Sequence, residues 1–226
     1  MNKYKILKDQ YVEACGKKLY RIQALKDFKG VKSGDIGGYI EKESNLSQSG
    51  NAWVYDDARV YDKAWVSNNA QVYGNTWVYD DAWVYGNARV CGNARVYGNA
   101  WVSGDAQVSD DAWVYGNARV SGNSWVSGDA RVYGNAWVCG DARVCDTRHY
   151  LNLGPIGSRD GYTTIYRDKN KKAIVVCGCF RWDLDGLERA VHKTHAGTKY
   201  EAEYMALIQL ARLREKEWLE NERDST

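Results

Sequence analysis

"DARVYGNAWVCGDARVC" (residues 129–145) repeats alanine and valine every six places, while the residue between them switches from Arg to Trp and back. Reading outward, the same register runs without insertion from Asn51 to Asp146, as 16 hexapeptides. The fourth residue of each is Val. The second is Ala except at Thr76 and Ser124, and the first is Asn or Asp except at Lys63. A fixed short period marks a solenoid. Six residues are too few for a helical unit with a turn, and Val favours strands. Three sixes therefore close a triangular coil of 18 residues, with Val inward, Ala at the tight corners, and Gly, Asn or Asp where the backbone turns left-handed.

The Val-then-small spacing, Val54 followed by Ala58 and so on, resembles the left-handed parallel β-helix of the hexapeptide-repeat superfamily. One departure is the place after Val, which here holds Tyr, Ser or Cys. The segment "DFKGVKSGDIGGYI" and the repeats after it are similar to the opening of uncharacterised bacterial and phage hexapeptide-repeat proteins, a resemblance that implies no activity. The expected fold is mainly β: a left-handed parallel β-helix with an N-terminal β cap and a small C-terminal α+β domain. Residues 1–50 supply a hairpin around Gly16 and an irregular first coil with Ile40 and Leu46 inward; 51–146 are the coil. Residues 147–226 supply three strands (149–153, 162–167, 173–180) and two helices. The first helix carries Asp185 and Glu188 as a capping box, and the second has Tyr200, Tyr204, Leu207, Ala211 and Trp218 on one stripe.

Neighbours of an inward Val point outward, so every third hexapeptide stacks its variable residues into a surface column. One face carries Arg59, Trp77, Arg95, Trp113 and Arg131 beside Tyr61, Tyr79, Tyr97, Tyr115 and Tyr133. Alternation separates like charges and lays guanidinium on indole, which stiffens the coil by about 0.5–1 kcal/mol per contact. The coil also holds eight Trp and eight Tyr, more than a monomer's surface normally tolerates, and Trp, Tyr and Arg concentrate at interface hot spots. At least one face is therefore expected to be buried in a homodimer or homotrimer.

Charge is modest: net +2 overall, with the coil itself at −4, which argues against a general nucleic-acid clamp. No apolar run approaches membrane length, and the lysine-bearing start lacks a signal-peptide core, so a cytoplasmic protein (host cytoplasm if phage-encoded) with reduced cysteines is expected. In the C-terminal region, "GPIGSRDGYTT" places Arg159 and Thr163 after a glycine turn that could greet an anion. Cys177 and Cys179 with His192 and His195 have zinc-ligand types, but the short C-x-C spacing favours ordinary core and surface roles. Superfamily relatives include trimeric acyltransferases with a histidine base; this coil contains no histidine, and a single threonine, Thr76, which also argues against an ice-binding ladder. The reading leans away from catalysis and assigns no cofactor and no metal. It favours a non-enzymatic oligomeric scaffold and binding protein that displays the C-terminal α+β domain for recognition of a protein or small-molecule partner, such as a host protein or a nucleotide-like ligand. The alternatives are a phage-type inhibitor or ligand-sequestering protein aimed at a host factor, and an acyltransferase.

Overall fold

The structure, a computed structural model, describes residues 2–178 and 180–220. Its centre is a parallel β-solenoid. Sixteen two-residue strands, β4 (Trp53–Val54) through β19 (Arg143–Val144), occur one per hexapeptide. Each pairs in parallel with the strand 18 residues away: Arg95 with Trp77 and Trp113, Val96 with Val78 and Val114. Three sheets result, and every Val of the repeat is fully buried between them. The Ala column fills the corners, also without exposure. Thr76 and Ser124, which replace Ala, are buried too, and each hydroxyl donates to the carbonyl three residues back, Tyr73 and Ser121.

The sixth residue of each repeat but the last, which ends in the extended Asp146, makes the corner. Asp56, Asp62, Asn68, Asp80 and Asp110 all have positive φ, as do the glycines that take the other corners. The corner aspartates serve the next coil as well: Asp56, Asp80 and Asp110 accept from the backbone N–H of Gly74, Gly98 and Gly128. At the residue that follows each corner, Asn and Asp side chains form ladders, Asn51 donating to Asn69, Asn69 to Asn87 and Asn87 to Asp105.

Both ends of the solenoid are closed. At the N-terminal end β1 (Tyr4–Ala14) and β2 (Lys17–Ala24) form an antiparallel hairpin, turning at Cys15 and Gly16. β3 (Ile36–Ile40) pairs antiparallel with β2 and in parallel with β5 (Arg59–Val60), so the cap continues one coil sheet. Ile40 and Leu46 lie buried in the first turn. The cap also covers two residues expected at the surface. Trp53 is 1% exposed, held edge-on between Tyr4 and Phe28, and Tyr61 is 3% exposed beside Cys15 and Lys17. The outward rule of the repeat fails there because the hairpin lies over the first turn.

At the other end β20 (Tyr150–Ile156), β21 (Gly161–Arg167), β22 (Ala173–Cys177) and β23 (Phe180–Asp183) form one antiparallel sheet in sequence order. Its two faces follow the strand's period of two. Tyr150, Tyr166 and Val176 join the valine core of the coil. Ile165, Ala173 and Val175 pack instead on α1 (Leu184–His195) and α2 (Lys199–Glu220). Four strands stand where the sequence suggested three, because the run 173–180 breaks at Gly178, whose φ is 60°. The cap of α1 also differs. Asp183 accepts from Gly186 N–H at 2.7 Å, while Asp185 and Glu188 instead hold Arg212. The α2 stripe buries Tyr204, Leu207, Ala211 and Trp218 as expected, with Ile208 added and Tyr200 half-buried.

Candidate binding face

The sheet that runs from the N-terminal hairpin through β17 (Arg131–Val132) brings ten of the twelve predicted binding residues together. Because the coil repeats every 18 residues, their side chains stack. Tyr61, Tyr79, Tyr97 and Tyr115 lie ring on ring at 5.1, 4.9 and 5.0 Å, within 5° of parallel. Tyr133 continues the stack at 5.4 Å, and Tyr150 ends it edge-on. Beside them Arg59 lies 5.0 Å from Trp77, Arg95 lies 5.7 Å from Trp77 and 5.0 Å from Trp113, and Arg131 lies 4.9 Å from Trp113. Trp113 is thus covered by guanidinium on both faces, and ligands can reach only ring edges and guanidinium edges.

Exposure grows along the column. Arg59 and Tyr61 are largely covered by the cap, whereas Arg95, Arg131 and Tyr133 are open. An open cleft of about 400 Å³ lies at this exposed end, lined by Asn93, Arg95, Asp111, Trp113, Asp129, Arg131 and Thr147. Asn93 donates to Asp111 at 3.1 Å, so one edge of the cleft is a corner ladder. The cleft therefore presents two cations, two carboxylates and an indole edge. Tyr79 and Tyr97 of the stack keep their protons at neutral pH. Burial raises Tyr79 to about 12, with Tyr97 and Asp80 adding and Arg95 opposing; burial also raises Tyr97, with Tyr115 adding and Arg95 and Arg131 opposing.

A second face stacks Trp65, Trp83, Trp101, Arg119 and Trp137, with Trp83 on Trp101 at 5.4 Å and Arg119 4.8 Å from Trp101. Trp65, Trp83 and Trp137 remain 36–39% exposed.

The sequence missed Asn93, Asp111, Asp129 and Thr147. The corner residues were legible as an 18-residue column, but their reach into the Arg/Trp groove was not; Thr147 lies past the last repeat. The structure does not bring the other two predicted residues onto one surface. Arg159 is exposed on the turn after Gly157, near Tyr204, but Thr163 is fully buried between Leu153 and Cys177 on neighbouring strands. Thr164 is also buried and accepts from Trp137 N–H at 3.0 Å. The strand thus spends both threonines inside, and the turn keeps only its arginine. Of the zinc-type set, Cys179 lies outside the described residues, His192 pairs with Glu201 at 2.7 Å, and His195 stacks on Tyr204. Cys177 contacts the Tyr204 hydroxyl at 3.8 Å, and no metal-holding group occurs among the described residues.

A family model described as "YdcK Beta solenoid repeat" matches residues 52–68, 88–104, 112–128 and 126–140. All four matches fall within the stacked coil. Over those residues the coil is similar to YdcK-type beta-solenoid repeats. An Escherichia coli (strain K12) protein described as the uncharacterized acetyltransferase YdcK is 41% identical over 63 residues. That likeness covers 25% of this chain and 19% of YdcK, so it spans about a fifth of the relative's length. Among the described residues no helix is long and apolar enough to cross a membrane.

Proposed function

We propose that the protein is a non-enzymatic, self-associating solenoid scaffold of the cytoplasm whose Arg/Trp/Tyr face holds a protein partner. The observation that carries this reading is the cleft at Arg95, Trp113 and Arg131, where cationic and aromatic groups are fixed by stacking and yet exposed. Groups held in place before binding lose little entropy when a partner arrives. Asp111 and Asp129 at the same cleft oppose a polyphosphate and suit a polypeptide segment carrying both charges. The coil itself offers no histidine to act as a general base.

A second reading, acyl transfer, rests on the description of YdcK and on the short likeness to it. Two experiments separate the readings. Affinity capture with the wild type, Arg95→Ala/Arg131→Ala and Arg159→Ala should yield one protein partner that only the double variant loses. Retention by the double variant and loss with Arg159→Ala would move the site to the C-terminal region. Mass spectrometry of the purified protein with acetyl coenzyme A should show no turnover; sustained turnover would replace the scaffold reading with catalysis.

A further inference from the structure

The cleft at Arg95, Trp113 and Arg131 has a break in its other wall. That wall is a column of repeat-opening residues, one per coil, whose amides donate to the neighbour eighteen residues on. Asn75 donates to Asn93 and Asn93 to Asp111, as Asn69 donates to Asn87 and Asn87 to Asp105 at another corner. After Asp111 the next residue of the column is Asp129, so a carboxylate follows a carboxylate with no donor between them. No other pair in the repeat-opening columns sets acid on acid. The other acids of these columns are all met: Asp57 by Arg21, Asp81 by Lys63, Asp105 by Asn87, Asp111 by Asn93 and Asp141 by Lys169. Asp129 is exposed and has no hydrogen bond or ion pair among the described residues.

The arginines are unmet in the opposite sense. Trp113 lies between Arg95 and Arg131 and holds both, yet neither guanidinium has a hydrogen bond or ion pair among the described residues. Arg143 shows the alternative, since its guanidinium donates to the carbonyls of Asn123 and Ala142. From these unmet groups we infer that the cleft reads a polypeptide segment in which one basic side chain stands between two acidic ones. The base seats on Asp111 and Asp129, and the acids seat on Arg95 and Arg131. A lone anion would meet two carboxylates and a lone cation two guanidiniums, whereas a segment carrying both signs meets its complement at each point. The spacing agrees. Arg95 and Arg131 stand two coils apart, about 10 Å, and an extended chain sets residues i, i+2 and i+4 on one side over about 13 Å, a difference that long side chains absorb. A divalent cation fits less well, because calcium takes about six to eight oxygens and the break offers two carboxylates.

The inference deepens the proposed function and rests on it, and the test keeps the two apart. Fluorescence anisotropy at low salt would compare labelled, glycine-flanked peptides with the cores Glu-Ser-Arg-Ser-Glu, Glu-Ser-Gln-Ser-Glu and Gln-Ser-Arg-Ser-Gln. The full-length protein should bind the first about tenfold or more tightly than either of the others. Asp111→Asn places an amide where it can donate to Asp129, as Asn87 does to Asp105. It should weaken the mixed peptide about tenfold or more while raising the midpoint of thermal unfolding. Asp105→Asn, at another corner, should leave binding unchanged. Equal binding of the Glu-only peptide, binding of none of the three, or unchanged binding by Asp111→Asn overturns the inference. If Arg95→Ala/Arg131→Ala still loses a captured protein partner in that case, the proposed function stands without it. Calcium chloride alone stabilising the wild type but not Asp111→Asn would make the acidic pair a metal site, and that too overturns it.

Discussion

At Gly98 the chain turns with φ of 69°, and a Cβ built there would lie 3.0 Å from Gly116 N and 3.1 Å from Gly116 O. The backbone of the next coil cannot retreat without breaking its own pairing. Gly98→Ala is therefore expected to destabilise the protein by about 1–2 kcal/mol in denaturant unfolding, through the left-handed backbone and the close approach together. Gly98→Asn should cost less, since Asn68 and Asp80 already hold this conformation at other corners. Tyr79 tests the stacked column. Its ionisation is pushed up to about 12 by burial, whereas an unfolded tyrosine loses its proton near 10. A raised folded value means that its contribution to stability is complete below pH 10 and falls as pH climbs from 10 through 12. Tyrosinate absorbance should show part of the phenols titrating only in that window, and Tyr79→Phe should remove some of the late fraction. An alkaline titration in which all tyrosines ionise together near pH 10 would contradict the stack.

Among the elements, α1 offers the sharpest contrast between two acidic residues. Asp183 accepts from Gly186 N–H, so Asp183→Ala should cost about 1 kcal/mol of stability by thermal or chemical unfolding. Asp185→Ala removes only an exposed partner of Arg212 and should cost clearly less, because surface ion pairs contribute little. From sequence the two were hard to separate, since both stand within two residues of the helix start. The register of the coil, by contrast, was legible to the residue, because each six-residue unit carries its own inward Val, corner Ala and left-handed corner. Local side-chain size settles such an element. The C-terminal sheet was only partly legible. "AIVVCGCF" reads as one apolar run, and its split at Gly178 depends on β23 folding back beside β22. The site was legible where it is periodic and lost where contact is non-local. Arg95, Trp113 and Arg131 came from the period; the burial of Trp53 and Tyr61 came from a hairpin some forty to fifty residues earlier in the chain, and Thr163 turned inward with the sheet.

For the molecule as a whole, both open ends of the solenoid are plugged by antiparallel sheets that reuse its core: Tyr4 and Ile22 at one end, Tyr150, Tyr166 and Val176 at the other. Exposed strand ends invite pairing with other chains, and these plugs remove that hazard. What remains at the surface is the stacked Arg/Trp/Tyr face, rigid because each rung supports the next. That face exists only if residues eighteen apart are direct neighbours. Photo-oxidative dityrosine cross-linking, mapped by mass spectrometry on the monomeric fraction, reads this directly. Intrachain cross-links should join Tyr79 to Tyr97 and Tyr97 to Tyr115, whose rings stack at 4.9 and 5.0 Å. Cross-links dominated instead by tyrosines six or twelve residues apart, such as Tyr73 with Tyr79 or Tyr85 with Tyr97, would contradict the coil and the binding face built on it.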